Sequence, residues 1–337
     1  MKTETEPNET ESDWSELTRE CLINILSRLS VEDRWRGTML VCKSWFSVFK
    51  EPSLHFVFNL DPQFDSPTES TRWWTPEFEA KIDNMLRSVV EWAQSSLTHI
   101  RIRHCSDRSL ALVAQRFQLS PKFQYPFVFP SLIDGGPNWV SKLWSFNCPN
   151  LEVLFIRSCP RVTDDSISRI ALSCPKLREL DISYCYEITH ESLVLIGRNC
   201  PNLKVLKRNL MNWLDPSQHR GIVPDDYLNA CPQDGDDEAA AIANSMPGLE
   251  QLEIRFSKLT AKGLNSICQG CPNLEFLDLS GCANLTSRDI ANASSSLVHL
   301  KEIKKPNFYI PRSVFHTERY GHWSLYDERF QTDIFQI

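Results

Sequence analysis

The chain has 337 residues, 42% of them hydrophobic, and a formal charge of −7 from 36 Lys and Arg against 43 Asp and Glu. That length predicts one to three domains with a real core, and the acidic balance weighs against a partner held through a phosphate backbone, which needs clustered Lys and Arg. No run of 18 apolar residues occurs, so no membrane-spanning helix is expected.

In chain order, the opening MKTETEPNETESD is acidic and lacks the apolar stretch of a signal peptide. It predicts a disordered tail over residues 1–13. Residues 14–55 then predict a small helical module. Leu22, Ile25, Leu26 and Leu29 form an apolar stripe at helical spacing, and Thr18 can cap that helix. Ser30-x-x-Asp33 has the capping-box pattern of a second helix. Trp35, Met39, Leu40 and Val41 continue it, although Gly37 weakens it by about 1 kcal/mol relative to Ala. Cys42-Lys43-Ser44-Trp45 follows. Three helices in so short a span gain stability by burying their remaining apolar face on a partner. Residues 56–94 predict a linker and a connecting helix, with Thr75 as cap and Pro76 in the first turn. That helix would turn Phe78, Ile82, Met85, Leu86 and Val89 toward the next element.

Residues 95–305 carry a repeat. Cys148 to Ser173 and Cys174 to Asn199 are successive units of 26 residues, and a third begins at Cys200. The template recurs at Leu97/Ile100/Ile102/Cys105, Leu151/Leu154/Ile156/Cys159, Leu177/Leu180/Ile182/Cys185 and Leu274/Leu277/Leu279/Cys282. Leu249/Leu252/Ile254 matches except that Ser257 fills the last slot, and Leu203/Leu206 is followed by Arg208 and Met211. A fixed period of this length with L-x-x-L-x-L/I-x-x-C marks a leucine-rich-repeat solenoid. The fold class is therefore α/β, with short parallel strands on the concave face and helices outside. Thr163, Thr189 and Thr286 are placed to cap the helices. One coil cannot bury its own core, so the coils must stack.

The period breaks twice. Residues 117–147 lack the signature and are open to three readings: a degenerate repeat, an inserted loop or an artefact of gene prediction. Residues 208–240 include PDDYLNACPQDGDDEAA and predict an exposed acidic loop. The 12 cysteines follow the repeat slots, where small buried reduced thiols fit. Cys268-x-x-Cys271 has no second pair at ligand spacing, so no metal site is expected. No catalytic constellation, Gly-rich phosphate loop or calcium-loop spacing is present, and no cofactor is expected. Residues 306–337, rich in Phe, Tyr and Trp, predict a C-terminal cap over the open end of the solenoid.

The N-terminal residues Leu17, Leu22, Ile25, Leu26, Leu29, Val41, Cys42, Lys43 and Trp45 match the pattern L-P-x-E-L-L-x-x-I-L-x-x-L … V-C-K-x-W, with Thr18 where Pro is usual. Followed by Cys-Pro-x-Leu repeats, they resemble the F-box family, and from Trp14 on the chain looks like a plant F-box leucine-rich-repeat protein of the Skp-interacting-partner group. The resemblance skips roughly residues 117–147. It implies a non-catalytic substrate receptor of an SCF (Skp–cullin–F-box) ubiquitin ligase. The F-box, residues 14–55, would dock on a Skp-type adaptor and through it on cullin and RING subunits. Candidate adaptor contacts are Leu17, Leu22, Ile25, Leu26, Val41 and Trp45, several of which could instead form the module's own core.

A target protein would lie on the concave face, where strand residues alternate with the buried ones: His99, Arg101 and Arg103, then Val153, Phe155 and Arg157, with their counterparts in later coils. Arg101, Arg103, Phe155, Arg157, Asp181, Arg255, Phe276 and Asp278 are the candidate target contacts. No nucleic-acid or membrane partner is implied, and the expected location is nucleus or cytoplasm. Two alternatives remain: a small-molecule sensor using the sparse basic set Arg101, Arg103, Arg157 and Lys207, and a repeat scaffold without ligase function.

Overall fold

Each repeat folds into one short strand and one helix, and the computed structural model stacks the coils into a parallel sheet of eight strands in sequential order. The described residues are 17–64, 70–114, 148–215, 217, 219–232 and 234–306. The expectations for residues 1–13, for 117–147 and for all of the aromatic cap beyond Pro306 lie outside them.

The strands are β1 (Val57–Asn59), β2 (His99–Arg103), β3 (Val153–Arg157), β4 (Glu179–Asp181), β5 (Val205–Lys207), β6 (Gln251–Glu253), β7 (Phe276–Asp278) and β8 (Glu302–Lys304). Their central residues pair in register from Phe58 through Ile100, Leu154, Leu180, Leu206, Leu252 and Leu277 to Ile303. The template leucines and isoleucines on either side are buried as well, so the sequence period is the period of the core. The cysteines of the repeat are all free and, apart from Cys21 and Cys42 of the N-terminal module, buried; burial pushes the Cys148 and Cys271 thiols up to about 12.

The outer layer comprises α4 (Pro76–Ala93), α5 (Asp107–Val113), α6 (Asp164–Ser173), α7 (His190–Asn199), α9 (Gly235–Ser245), α10 (Ala261–Gly270) and α11 (Ser287–Ser294). Thr75, Thr163, Thr189, Thr260 and Thr286 each cap a helix through the side-chain oxygen. Most of these caps also lock adjacent coils together. Asp107 accepts from the backbone N–H and hydroxyl of Thr163 at 2.9 and 2.6 Å, and Asp164 does the same for Thr189 at 2.9 and 2.7 Å. Asp236 accepts from Thr260 at 2.7 Å in both bonds. In the first coil, buried Asp83 accepts from Ser106 and Ser109. Ala261 stands where the next Asp would be, and Thr286 turns to Asp289 of its own helix in a capping box.

The N-terminal module contains α1 (Arg19–Ser27), α2 (Val31–Arg36) and α3 (Lys43–Phe49) around a core of Leu22, Leu26, Trp45, Val48, Phe49 and Leu54. The expected long second helix is a correction. Ser30 caps it as the pattern predicts, but it stops at Gly37, and Thr38–Leu40 form a tight 3₁₀ turn. Glycine's backbone entropy makes it a poor interior helix residue. Trp92 of α4 packs on Phe49 and Trp35 at ring distances of 5.3 and 5.5 Å, joining this module to the array.

Residues 208–240 are not the exposed loop expected. Residues 235–245 form α9, a regular member of the outer layer that packs between α7 and α10. This close passage depends on Gly197, where a Cβ would come within 2.4 Å of the Ser245 hydroxyl. The true insertion ends before α9 and contains α8 (Asp225–Asn229). It buries Leu210, Met211, Val223, Tyr227 and Cys231 with Tyr186 in a second small core. Tyr227 stacks on Tyr186 at 4.7 Å and touches Trp74, ahead of α4, at 5.0 Å. Aromatic residues distant in sequence supply the burial that the acidic composition hid.

Candidate binding surfaces

The helical module divides its apolar residues between core and surface. Leu22, Leu26 and Trp45 are buried in its own core and are corrected from adaptor contacts to core residues. A stripe at helical spacing shows which side of a helix is apolar, not which neighbour covers it. Leu17 and Ile25 are half-buried, while Leu40 and Val41 are 80% and 53% exposed. Leu40 was missed because the expected helix would have carried it; the break at Gly37 turns it outward beside Val41.

The concave face is a lattice of ion pairs. Arg157 Nε donates to Asp181 at 2.7 Å, Arg255 Nε to Asp278 at 2.8 Å, and Lys207 pairs with Glu253 at 2.7 Å. Arg101 lies 3.8 Å from Glu179, and Arg103 lies 3.4 Å from Asp61. Because equivalent residues stack from coil to coil, cations and carboxylates 23 to 78 residues apart become neighbours. Burial opposes ionisation of Arg157, but Asp181 outweighs it and raises the guanidinium pKa. Burial likewise works against the Glu253 carboxylate, and Lys207 more than offsets it, holding that group below the usual range.

Phe155, Asp181 and Asp278 lie in the expected strand positions but are buried rather than displayed. The Arg101 guanidinium covers the Phe155 ring at 4.2 Å, and Lys207 approaches it at 5.9 Å. Asp181 and Asp278 also accept backbone N–H groups of Ser183 and Ser280, so they hold the sheet's turns as well as the cations. Phe276 is half-buried beneath Lys304, whose ammonium lies 5.1 Å from its ring. Arg101, Arg103, Arg157 and Arg255 remain partly accessible.

Where the strands end, the insertion borders an open-sided cleft of about 350 Å³. Arg103 and Arg157 form its floor, Tyr184, Met211 and Phe256 line it, and His219 and Asn212 stand at the side of the insertion. Ser158, Tyr184 and Phe256 occupy one slot in the coils of β3, β4 and β6, and all three have left-handed backbone, with φ of 52°, 63° and 56°. Gly281 fills the same slot in the next coil at φ 75°, beneath the Phe256 ring. Sequence reading passed over these residues because they fall one position beyond the alternating strand pattern. No group of three or more metal-ligating side chains is found among the described residues, and no described helix is long and apolar enough to cross a membrane.

The F-box domain profile matches residues 14–57. The chain is 54% identical over 328 residues to "F-box protein SKIP1" of Arabidopsis thaliana, covering 97% of this chain and 98% of that protein. It is 52% identical over 309 residues to the Arabidopsis "Putative F-box/LRR-repeat protein 19", covering 92% of each. A solved structure described as "Crystal structure of Rad7 and Elc1 complex in yeast" aligns with 45% of this chain and 56% of that one, at 18% identity and a TM-score of 0.20, too low to bear on fold or function.

Proposed function

The chain belongs to the plant F-box/leucine-rich-repeat family, and from that premise we propose that it is the substrate-recognition subunit of an SCF ubiquitin ligase. Its F-box docks on a Skp-type adaptor, which carries cullin and RING subunits, and its concave sheet recruits a target protein for ubiquitination. The transfer chemistry belongs to the other subunits. This chain contributes proximity and orientation. The same reading assigns its action to the nucleus or the cytoplasm.

The observation that carries the proposal is the exposed pair Leu40 and Val41, on a module whose own core is complete without them. Exposed apolar residues on a small helical module, with Leu17 and Ile25 also only half-buried, are what a helix-in-groove partner would cover. The pairing of every cation in the basic set Arg101, Arg103, Arg157 and Lys207 with a carboxylate weighs against a strongly anionic small molecule as the primary ligand.

The test is co-purification with a Skp-type adaptor and cullin. Leu40→Asp/Val41→Asp should abolish recovery of the adaptor while leaving thermal unfolding of the chain nearly unchanged, since surface substitutions cost within about 0.5 kcal/mol. Replacing Leu26 or Trp45 instead would disturb the fold and test nothing about docking. Adaptor recovery by the double variant at the wild-type level would refute the assigned surface. No recovery by the wild type would favour the non-ligase scaffold.

A further inference from the structure

The cavity at the strand ends combines three features that ordinary coil packing does not require. Its volume of about 350 Å³ falls within the range of small ligand pockets, about 300–1,000 Å³. Aromatic side chains are kept in left-handed turns at Tyr184 and Phe256, although Gly281 shows that glycine serves the same turn; a bulky residue there costs on the order of 1 kcal/mol. Arg157 is anchored to Asp181 through Nε alone, and its two terminal nitrogens make no hydrogen bond among the described residues.

We propose that this cavity recognises a carboxylate joined to an apolar group about the size of one amino-acid residue, supplied by the polypeptide that the repeat face recruits. The inference rests on the substrate-receptor reading and names what its pocket selects. The free edge of the Arg157 guanidinium offers two parallel N–H donors, the arrangement that fits a carboxylate in a bidentate pair. Met211 and the rings of Tyr184 and Phe256 provide an apolar wall for the group that bears it. Among the described residues, none that lines it is acidic. Asp61 and Asp181 already balance one charge each on Arg103 and Arg157. The site therefore suits a monoanion better than a doubly charged, strongly hydrated phosphate. Arg157 stays fully protonated at physiological pH, so the donor edge is permanent.

The experiment titrates the purified full chain with N-acetyl-leucine and N-acetyl-phenylalanine and with their carboxamides. Two short peptides are added in parallel: one ends in Phe with a free carboxylate, and the other is amidated with Glu beside Phe. Binding is followed by chemical-shift changes. The acids should bind at least about tenfold more tightly than the amides, as expected when a charged hydrogen bond is lost, and at least one peptide should bind as tightly as its acetylated residue. Arg157→Met should lose this preference. His219→Trp, which fills the cavity and leaves the Arg157–Asp181 pair intact, should lose binding too. Arg288→Met, exposed on α11, should change nothing.

Equal binding of acids and amides overturns the proposal, as does the absence of binding by any probe. Undiminished binding by both cavity variants overturns it equally. Binding of the free acids with neither peptide would refute the polypeptide source and leave a small free acid as the ligand. Adaptor co-purification is measured on the same variants. If it persists while carboxylate binding is absent, the pocket assignment alone fails; if adaptor recovery is absent from the wild type while carboxylate binding holds, the receptor reading alone fails.

Discussion

Arg208 shows how much one residue can depend on its surroundings. It occupies the slot that Ile182 and Ile254 fill in neighbouring coils, and it is 1% exposed. Its guanidinium donates to the carbonyls of Cys185 and Ile188 at 2.7 Å and to Glu238 at 2.8 Å. A buried charge persists only when paired and fully hydrogen-bonded. The residue thus pins the coil before the insertion to the helix after it. Two histidines follow the same logic with the opposite outcome. Burial lowers His104 to about 3, with Arg103 adding to the effect. Burial likewise lowers His55 to about 4, with Arg34 adding to it against a bond to the Phe49 carbonyl. Both folded-state values lie below the ordinary 6.5. On acidification the unfolded chain takes up protons that the folded chain refuses. This stability is fully present above that ordinary value and is lost as pH falls below it, at up to about 1.4 kcal/mol per pH unit for each histidine. His104→Asn keeps a residue that tolerates left-handed backbone. It should roughly halve the slope of unfolding free energy between about pH 6 and about pH 5, measured by urea denaturation at a series of pH values. An unchanged slope would count against the assignment.

At the scale of elements, the repeat is held by more than its leucines. The aspartates that open α5 and α6 accept both bonds from the next coil's capping threonine, so each cap serves its own helix and the joint between coils. Ser192 adds a short contact to Asp164. Asp164→Ala should cost about 1–3 kcal/mol, because it removes the carboxylate acceptor of the buried Ser192 hydroxyl together with both bonds from Thr189. Asp165→Ala, one residue on, removes only an exposed pair with Arg169 at 3.0 Å. That change should cost no more than about 0.5 kcal/mol. Chemical denaturation of the two variants compares them directly, and equal midpoints would show that the inter-coil bonds contribute nothing beyond a surface ion pair.

For the molecule as a whole, Trp92 is the hinge between its two parts. Its ring lies 5.3 to 5.5 Å from those of Phe49, His55 and Trp35. The F-box is too short to carry much stability of its own. Trp92→Ala removes a half-buried aromatic contact, at a cost no greater than the ~3–5 kcal/mol of a fully buried ring. Thermal unfolding should then split, the F-box melting first and regaining its transition when an adaptor is bound. A single cooperative transition in this variant would show that the module does not lean on the array.

The spacing of Leu, Ile and Cys alone sets the coil, its strand and helix, the caps at Thr163, Thr189 and Thr286, and the parallel order of the sheet, because each follows from residues within one period. The family pattern in the N-terminal helices was equally local. Stacking decided the rest. It buried Leu26 and Trp45 while leaving Leu40 and Val41 outside, covered Asp181 and Asp278 with cations from adjacent coils, and folded an acidic insertion over Tyr186 and Trp74. Those outcomes depend on which distant side chains arrive at the same place. Local periodicity fixes the face on which a residue lies, but only the packed array determines what lies opposite it.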